Sequence, residues 1–102
     1  MKKIIDGKRY DTDTATSITF IEYGTPGDFR HRLEELFKTK KGNFFLSYNG
    51  GALSKYATNE GPNLVRGSSG IQPLTVEEAL TWCETNNIDG SIIEKHFDVD
   101  DA

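Results

Sequence analysis

The sequence predicts an α+β fold in one domain: a mainly antiparallel sheet of four to six strands, with one or two C-terminal helices packed on it. Three observations carry that expectation. The N-terminal three-quarters is punctuated by hairpin signals, Asp6-Gly7 and Lys40-Lys41-Gly42. Phe37, Phe44, Phe45, Leu46 and Tyr48 hold the densest apolar surface, in two aromatic-rich runs that flank the basic Lys40-Lys41-Gly42 link. The last quarter changes to helical spacing behind a Thr-x-x-Glu capping box. Strands first and helices last is the α+β order.

Taken in order, Lys2-Lys3-Ile4-Ile5 reads as a strand that Asp6-Gly7 turns back into Lys8-Arg9-Tyr10-Asp11. Thr12–Thr16 is polar and turn-like, because Asp and Thr side chains bond their own backbone. Ser17–Tyr23, β-branched and aromatic, is a third strand. Residues 29–37 (FRHRLEELF) fit two patterns. Phe29, Leu33, Leu36 and Phe37 stand at helical spacing, but the turn at Lys40–Gly42 needs a paired strand before it. An extended segment from about Leu33 is therefore expected, with a short helix to Lys38 as the alternative. Gly42 supplies the positive φ of that turn, and Asn49-Gly50-Gly51 closes the returning strand. Ala52–Ala57 suits a brief turn or strand, and Thr58–Asn63 a loop. Leu64–Arg66 and Ile71–Leu74 bracket Gly67-Ser68-Ser69-Gly70, either as a small hairpin or around a mobile loop.

The helix expected from Thr75 to near residue 87 places Val76, Ala79, Leu80 and Cys83 on one apolar stripe. Glu77 and Glu78 fall in its first turn, where the helix dipole favours carboxylates. Glu77, Thr81 and Glu84 then face outward. Ser91 with Glu94 reads as a second capping box, opening a short helix with Ile92, Ile93, His96 and Phe97. Phe20, Phe37 or Phe44, Phe45, Leu46, Leu80 and Trp82 are the expected core.

Composition narrows the function. The chain has 102 residues, a net charge of −4 and one cysteine, and its mean hydropathy is −0.56. Eleven aromatic residues, six Phe, four Tyr and one Trp, offset the low hydropathy. A lone Cys83 makes no internal disulfide, which suits a reducing, cytoplasmic setting. No apolar run approaches a membrane span, and Asp6-Gly7 cuts short the only candidate leader. Two histidines and one thiol without ligand spacing point to no metal site. No nucleophile–base pair or carboxylate dyad is legible, so neither an enzyme, a cofactor nor a small-molecule substrate is expected. Gly67-x-x-Gly70 has the form of a KH-type clamp, but its flanks read as strands where that clamp joins helices.

Charge is unevenly spread. Residues 1–76 hold 11 Lys/Arg against 8 Asp/Glu, and residues 77–102 hold 1 Lys against 8 Asp/Glu. The acidic end, with Glu77, Glu78, Glu84, Glu94, Asp98, Asp100 and Asp101, is a candidate surface for a basic partner. The simpler reading is a solvated helix face. Lys38, Lys40 and Lys41, beside Phe37, Phe44 and Tyr48, are the alternative candidate site, for nucleic acid. The simpler reading there is protection of an edge strand.

The opening MKKIIDGKRYDTDTA, the basic turn within Phe37–Phe45, GGALSKYA at Gly50–Ala57 and PLTVEEALTW at Pro73–Trp82 resemble a family of short proteins. These come from plasmids, prophages and integrative elements of Gram-positive bacteria and open with a Lys-Arg-Tyr-Asp-Thr box. The present chain has Asp6 where Asn is common. Some members, or domains similar to them, are anti-CRISPR proteins. The resemblance implies a binding inhibitor of a type II RNA-guided nuclease or its guide RNA complex, acting in the bacterial cytoplasm. A nucleic-acid-binding or regulatory accessory protein of a mobile element is the second expectation.

Overall fold

The structure is a computed structural model describing residues 1–25, 27–51, 58–61 and 64–102, with the backbone alone for 58–61 and 64–66. The strands are β1 (Lys2–Ile5), β2 (Lys8–Asp11), β3 (Thr16–Tyr23), β4 (Arg32–Lys38), β5 (Phe44–Gly50), β6 (Thr58–Gly61), β7 (Leu64–Arg66) and β8 (Ser68–Leu74). Two helices follow, α1 (Val76–Thr85) and α2 (Gly90–His96). This is the expected α+β fold. A four-stranded antiparallel sheet in the order β3-β4-β5-β8 forms its centre, with β1-β2 and β6-β7 as separate hairpins.

Local chemistry explains the turns. Asp6 and Gly7 both have positive φ, 51° and 75°, the requirement of a two-residue turn whose twist matches its strands. Gly42 sits at φ 90° in the β4–β5 turn, where Gly42 N–H donates to Thr39 O at 2.9 Å and Asn43 N–H to Thr39 Oγ1 at 3.0 Å. That turn makes residues 32–38 a strand, since every one of them pairs with β5. The helical alternative is excluded.

Strand pleating divides the side chains between two faces. Leu36, Phe44 and Leu46 face the helices and join Ala79, Cys83 and Phe97 in one buried cluster. Phe44 and Phe97 stack at 4.8 Å between centroids, which holds the end of α2 to the sheet. On the opposite face Phe37, Phe45 and Ile71 pack against Tyr10 of the β1-β2 hairpin. Phe45 stacks on Phe37 at 5.1 Å and meets Tyr10 edge-on at 5.4 Å.

Several expectations are corrected. Phe20 is 60% exposed. It lies on the hairpin-covered side of the outer strand β3, and a hairpin of two four-residue strands covers Phe37, Phe45 and Ile71 without reaching it. Val76 is 53% exposed in the first turn of α1, and Trp82 packs inward in addition to the stripe of Ala79, Leu80 and Cys83. Thr58–Gly61 is a strand, not a loop. Leu64–Arg66 pairs with it, whereas Ile71–Leu74 belongs to β8 and pairs with β5. Gly67 lies between them because its backbone packs against Gly50 O and Gly51, leaving no room for a Cβ. The Thr75/Glu78 capping box is present, with Thr75 Oγ1 accepting from Glu78 N–H at 3.1 Å and Glu78 Oε1 accepting from Thr75 N–H at 2.8 Å. The Ser91/Glu94 box is not. Asp89 is the N-cap of α2, and the Ser91 hydroxyl donates to Asp89 Oδ2 at 2.6 Å instead. Ala52–Ala57 lies outside the described residues.

Candidate functional site

Two charged surfaces stand on opposite sides of the four-stranded sheet. On the helical side, Glu77, Glu78, Glu84, Glu94, Asp98, Asp100 and Asp101 are all exposed. The cause is the inward turn of Ala79, Leu80, Trp82 and Cys83, which leaves positions 77, 81 and 84 of α1 facing solvent. Among the described residues none of the seven carboxylates is in an ion pair. Glu78 is engaged by its own helix through the capping box, so it contributes charge but only part of its hydrogen-bonding capacity. Asp89, not among the expected site residues, adds an exposed carboxylate. The Ser91 hydroxyl, then the Ser91 backbone and least the Gly90 backbone, hold its pKa below the ordinary aspartate value against an opposing desolvation effect.

This acidic side carries a groove of about 660 Å³ between α1 and strand β8. Leu46, Leu74 and Trp82 supply apolar lining, and Glu77, Glu78 and Arg32 charge its walls. Beneath it lies a feature that no sequence pattern signalled. Glu34, on the central strand β4, is fully buried, and its Oε1 accepts the Trp82 indole N–H at 2.7 Å. Arg32 Nε stands 3.9 Å from Glu34 Oε2, and the guanidinium lies 5.3 Å from the Tyr23 ring centroid. Strand alternation places Arg32 and Glu34 on one face, but nothing in the spacing shows that face to be covered there by Trp82.

The other surface alters the lysine-turn reading. Lys38 turns toward the helices, its Nζ 3.4 Å from His96 O and 5.3 Å from the Phe44 ring centroid. Phe37 and Phe44 are buried and Tyr48 is half-buried, so the expected aromatic partners for nucleic-acid bases are not exposed beside the turn. Edge protection fails as well, since β4 and β5 are the two central strands. Lys40 and Lys41 remain exposed. They face the tip of the β1-β2 hairpin across a cleft of about 420 Å³, also lined by Gly7, Lys8, Arg9 and Asp11. Lys8 and Arg9 are thus brought to Lys40 and Lys41 from more than thirty positions away.

Among the described residues no group of three or more His, Cys, Asp and Glu is placed to hold a metal ion. No helix among them is long and apolar enough to cross a membrane. Burial, with the Glu84 carboxylate second, pushes the Cys83 thiol pKa up, which disfavours the thiolate. Comparison with known proteins finds no matching family model, curated protein or solved structure.

Proposed function

We propose that this protein is a binding inhibitor of a type II RNA-guided nuclease, and that its acidic helical side occupies a basic nucleic-acid channel of that enzyme. One observation carries the reading. The exposed carboxylates of α1, α2 and the tail form an acidic side with no ion pairs among the described residues, next to a Trp82-lined groove. Such nucleases hold their heteroduplex in a positively charged channel, and carboxylates in place of phosphates need no chemistry to block it. The groove supplies what a merely solvated face lacks, an aromatic anchor rimmed by charge, suited to an Arg or Lys stem of the partner. The resemblance of the Lys-Arg-Tyr-Asp-Thr opening points the same way.

The test is a pull-down of guide-free and guide-loaded nuclease followed by a cleavage assay. The parent protein is expected to be retained by one form and to slow cleavage. Glu77→Lys with Glu84→Lys is expected to weaken retention and make it less salt-sensitive, with folding unchanged because exposed charges contribute little to stability. Retention by neither form overturns the reading. Equal inhibition by parent and double variant removes the acidic side from the mechanism.

A further inference from the structure

We infer that the cleft between the β1-β2 tip and the β4–β5 turn binds the sugar-phosphate backbone of a single-stranded nucleic acid, without reading its bases. Four cations, Lys8, Arg9, Lys40 and Lys41, line it. All four are exposed, and among the described residues none is in an ion pair. Four cations against the one carboxylate of Asp11 leave the described lining of the cleft net positive in a chain of net charge −4, and a bound polyanion relieves their mutual repulsion. Thr14, Thr39 and Asn43 add hydroxyl and amide groups of the kind that bond phosphate oxygens.

The lining also tells which polyanion. Among the described residues Ala15 is its only apolar side chain, and none of them is aromatic. Base recognition in single strands uses aromatic stacking, so this cleft grips the backbone and not the bases. A protein partner would need a buried apolar or aromatic anchor, which the cleft lacks. One carboxylate opposes the ligand. Asp11 lines the cleft, with its Oδ1 accepting the Asp13 N–H at 2.9 Å. This site is independent of the acidic helical side, and its test involves no nuclease.

Fluorescence anisotropy of a labelled oligothymidylate against salt is the experiment. If all four cations engage phosphates, log K against log[salt] has a slope of about −3, from roughly −0.7 per contact on a single strand. Lys8→Gln with Arg9→Gln, and Lys40→Gln with Lys41→Gln, are each expected to halve that slope approximately. Circular dichroism is expected to match the parent, because all four side chains are exposed. Lys38→Gln, outside the cleft, leaves binding as it was. Asp11→Asn keeps the oxygen that accepts Asp13 N–H, removes the charge, and tightens binding. Mixed-sequence and oligothymidylate strands are expected to bind alike. Absence of parent binding at about 50 mM salt, where phosphate contacts are strong, overturns the inference. So does a slope indifferent to both paired substitutions. Competition by a free nucleoside triphosphate as effective as the strand at equal phosphate would make the cleft a single-phosphate site, and preference for polyglutamate would make it a peptide site. Either result overturns it too.

Discussion

The Trp82 indole N–H donates to Glu34 Oε1 at 2.7 Å, joining the middle of α1 to a central strand of the sheet through a carboxylate that is fully buried. A buried carboxylate is costly unless hydrogen-bonded and charge-compensated. Trp82 supplies a hydrogen bond, and Arg32 supplies a nearby positive charge. The bond therefore adds to the packing of Ala79, Leu80 and Cys83 in holding α1 on the sheet with Glu77 and Glu84 pointing outward.

Trp82→Phe keeps an aromatic ring and removes the donor. The expected loss is about 1.5–3 kcal/mol, the range for hydrogen bonds to charged groups, measured by urea unfolding. Combined with Glu34→Leu, Trp82→Phe should cost less than the two single substitutions summed, since the one hydrogen bond between them can be lost only once. A double variant as unstable as the sum of the singles would show that the two side chains do not act as a pair.

Phe45 is 0% exposed and touches both Phe37 and Tyr10. Phe45→Ala should cost about 3–5 kcal/mol and loosen the β1-β2 hairpin from the sheet. Hydrogen exchange along Lys8–Asp11 should rise in parallel. A loss below about 1 kcal/mol would place the hairpin's hold elsewhere than in a buried aromatic contact.

Cys83 is fully buried, and its thiol pKa is raised by burial and by Glu84. In the native protein it should resist alkylation by iodoacetamide at mildly alkaline pH and react promptly in urea. Rapid native-state labelling would contradict the packing of α1 on Leu36 and Leu46.

Burial first, then the charges of Lys38 and Lys95, hold the His96 imidazole below its ordinary value of 6.5. The unfolded chain then takes up the proton first as the solution is acidified. His96 thus contributes stability that is present above pH 6.5 and is lost as pH falls through the lowered folded value. The contribution is small because the ring is partly solvated. Lys38→Gln should raise the His96 pKa in an NMR titration, and His96→Gln should flatten the slope of urea midpoint against pH over that window. An unchanged His96 titration in the lysine variant would separate the two groups.

What the sequence by itself determined was most of what is set within one turn of chain. The Asp6-Gly7 and Gly42 turns need positive φ, the Thr75/Glu78 box satisfies its own backbone donors, and a β4–β5 turn demands strands on both sides. Each rests on contacts a few residues apart, so composition and spacing expose it, and the α+β order follows. The second capping box misled because Ser91 found a nearer acceptor in Asp89. Tertiary structure alone decided which faces are covered. Phe20 and Phe45 are alike in sequence terms, yet one is exposed on an outer strand and the other lies under a hairpin. Nothing near Glu34 in the chain shows that it is buried; Trp82, 48 positions away, bonds to it. Lys8 and Arg9 line one cleft with Lys40 and Lys41 because the first hairpin docks on the sheet, Tyr10 against Phe45 among its contacts. Burial and charge convergence are properties of what lies opposite, and a pattern confined to one segment carries no record of its neighbour across the sheet.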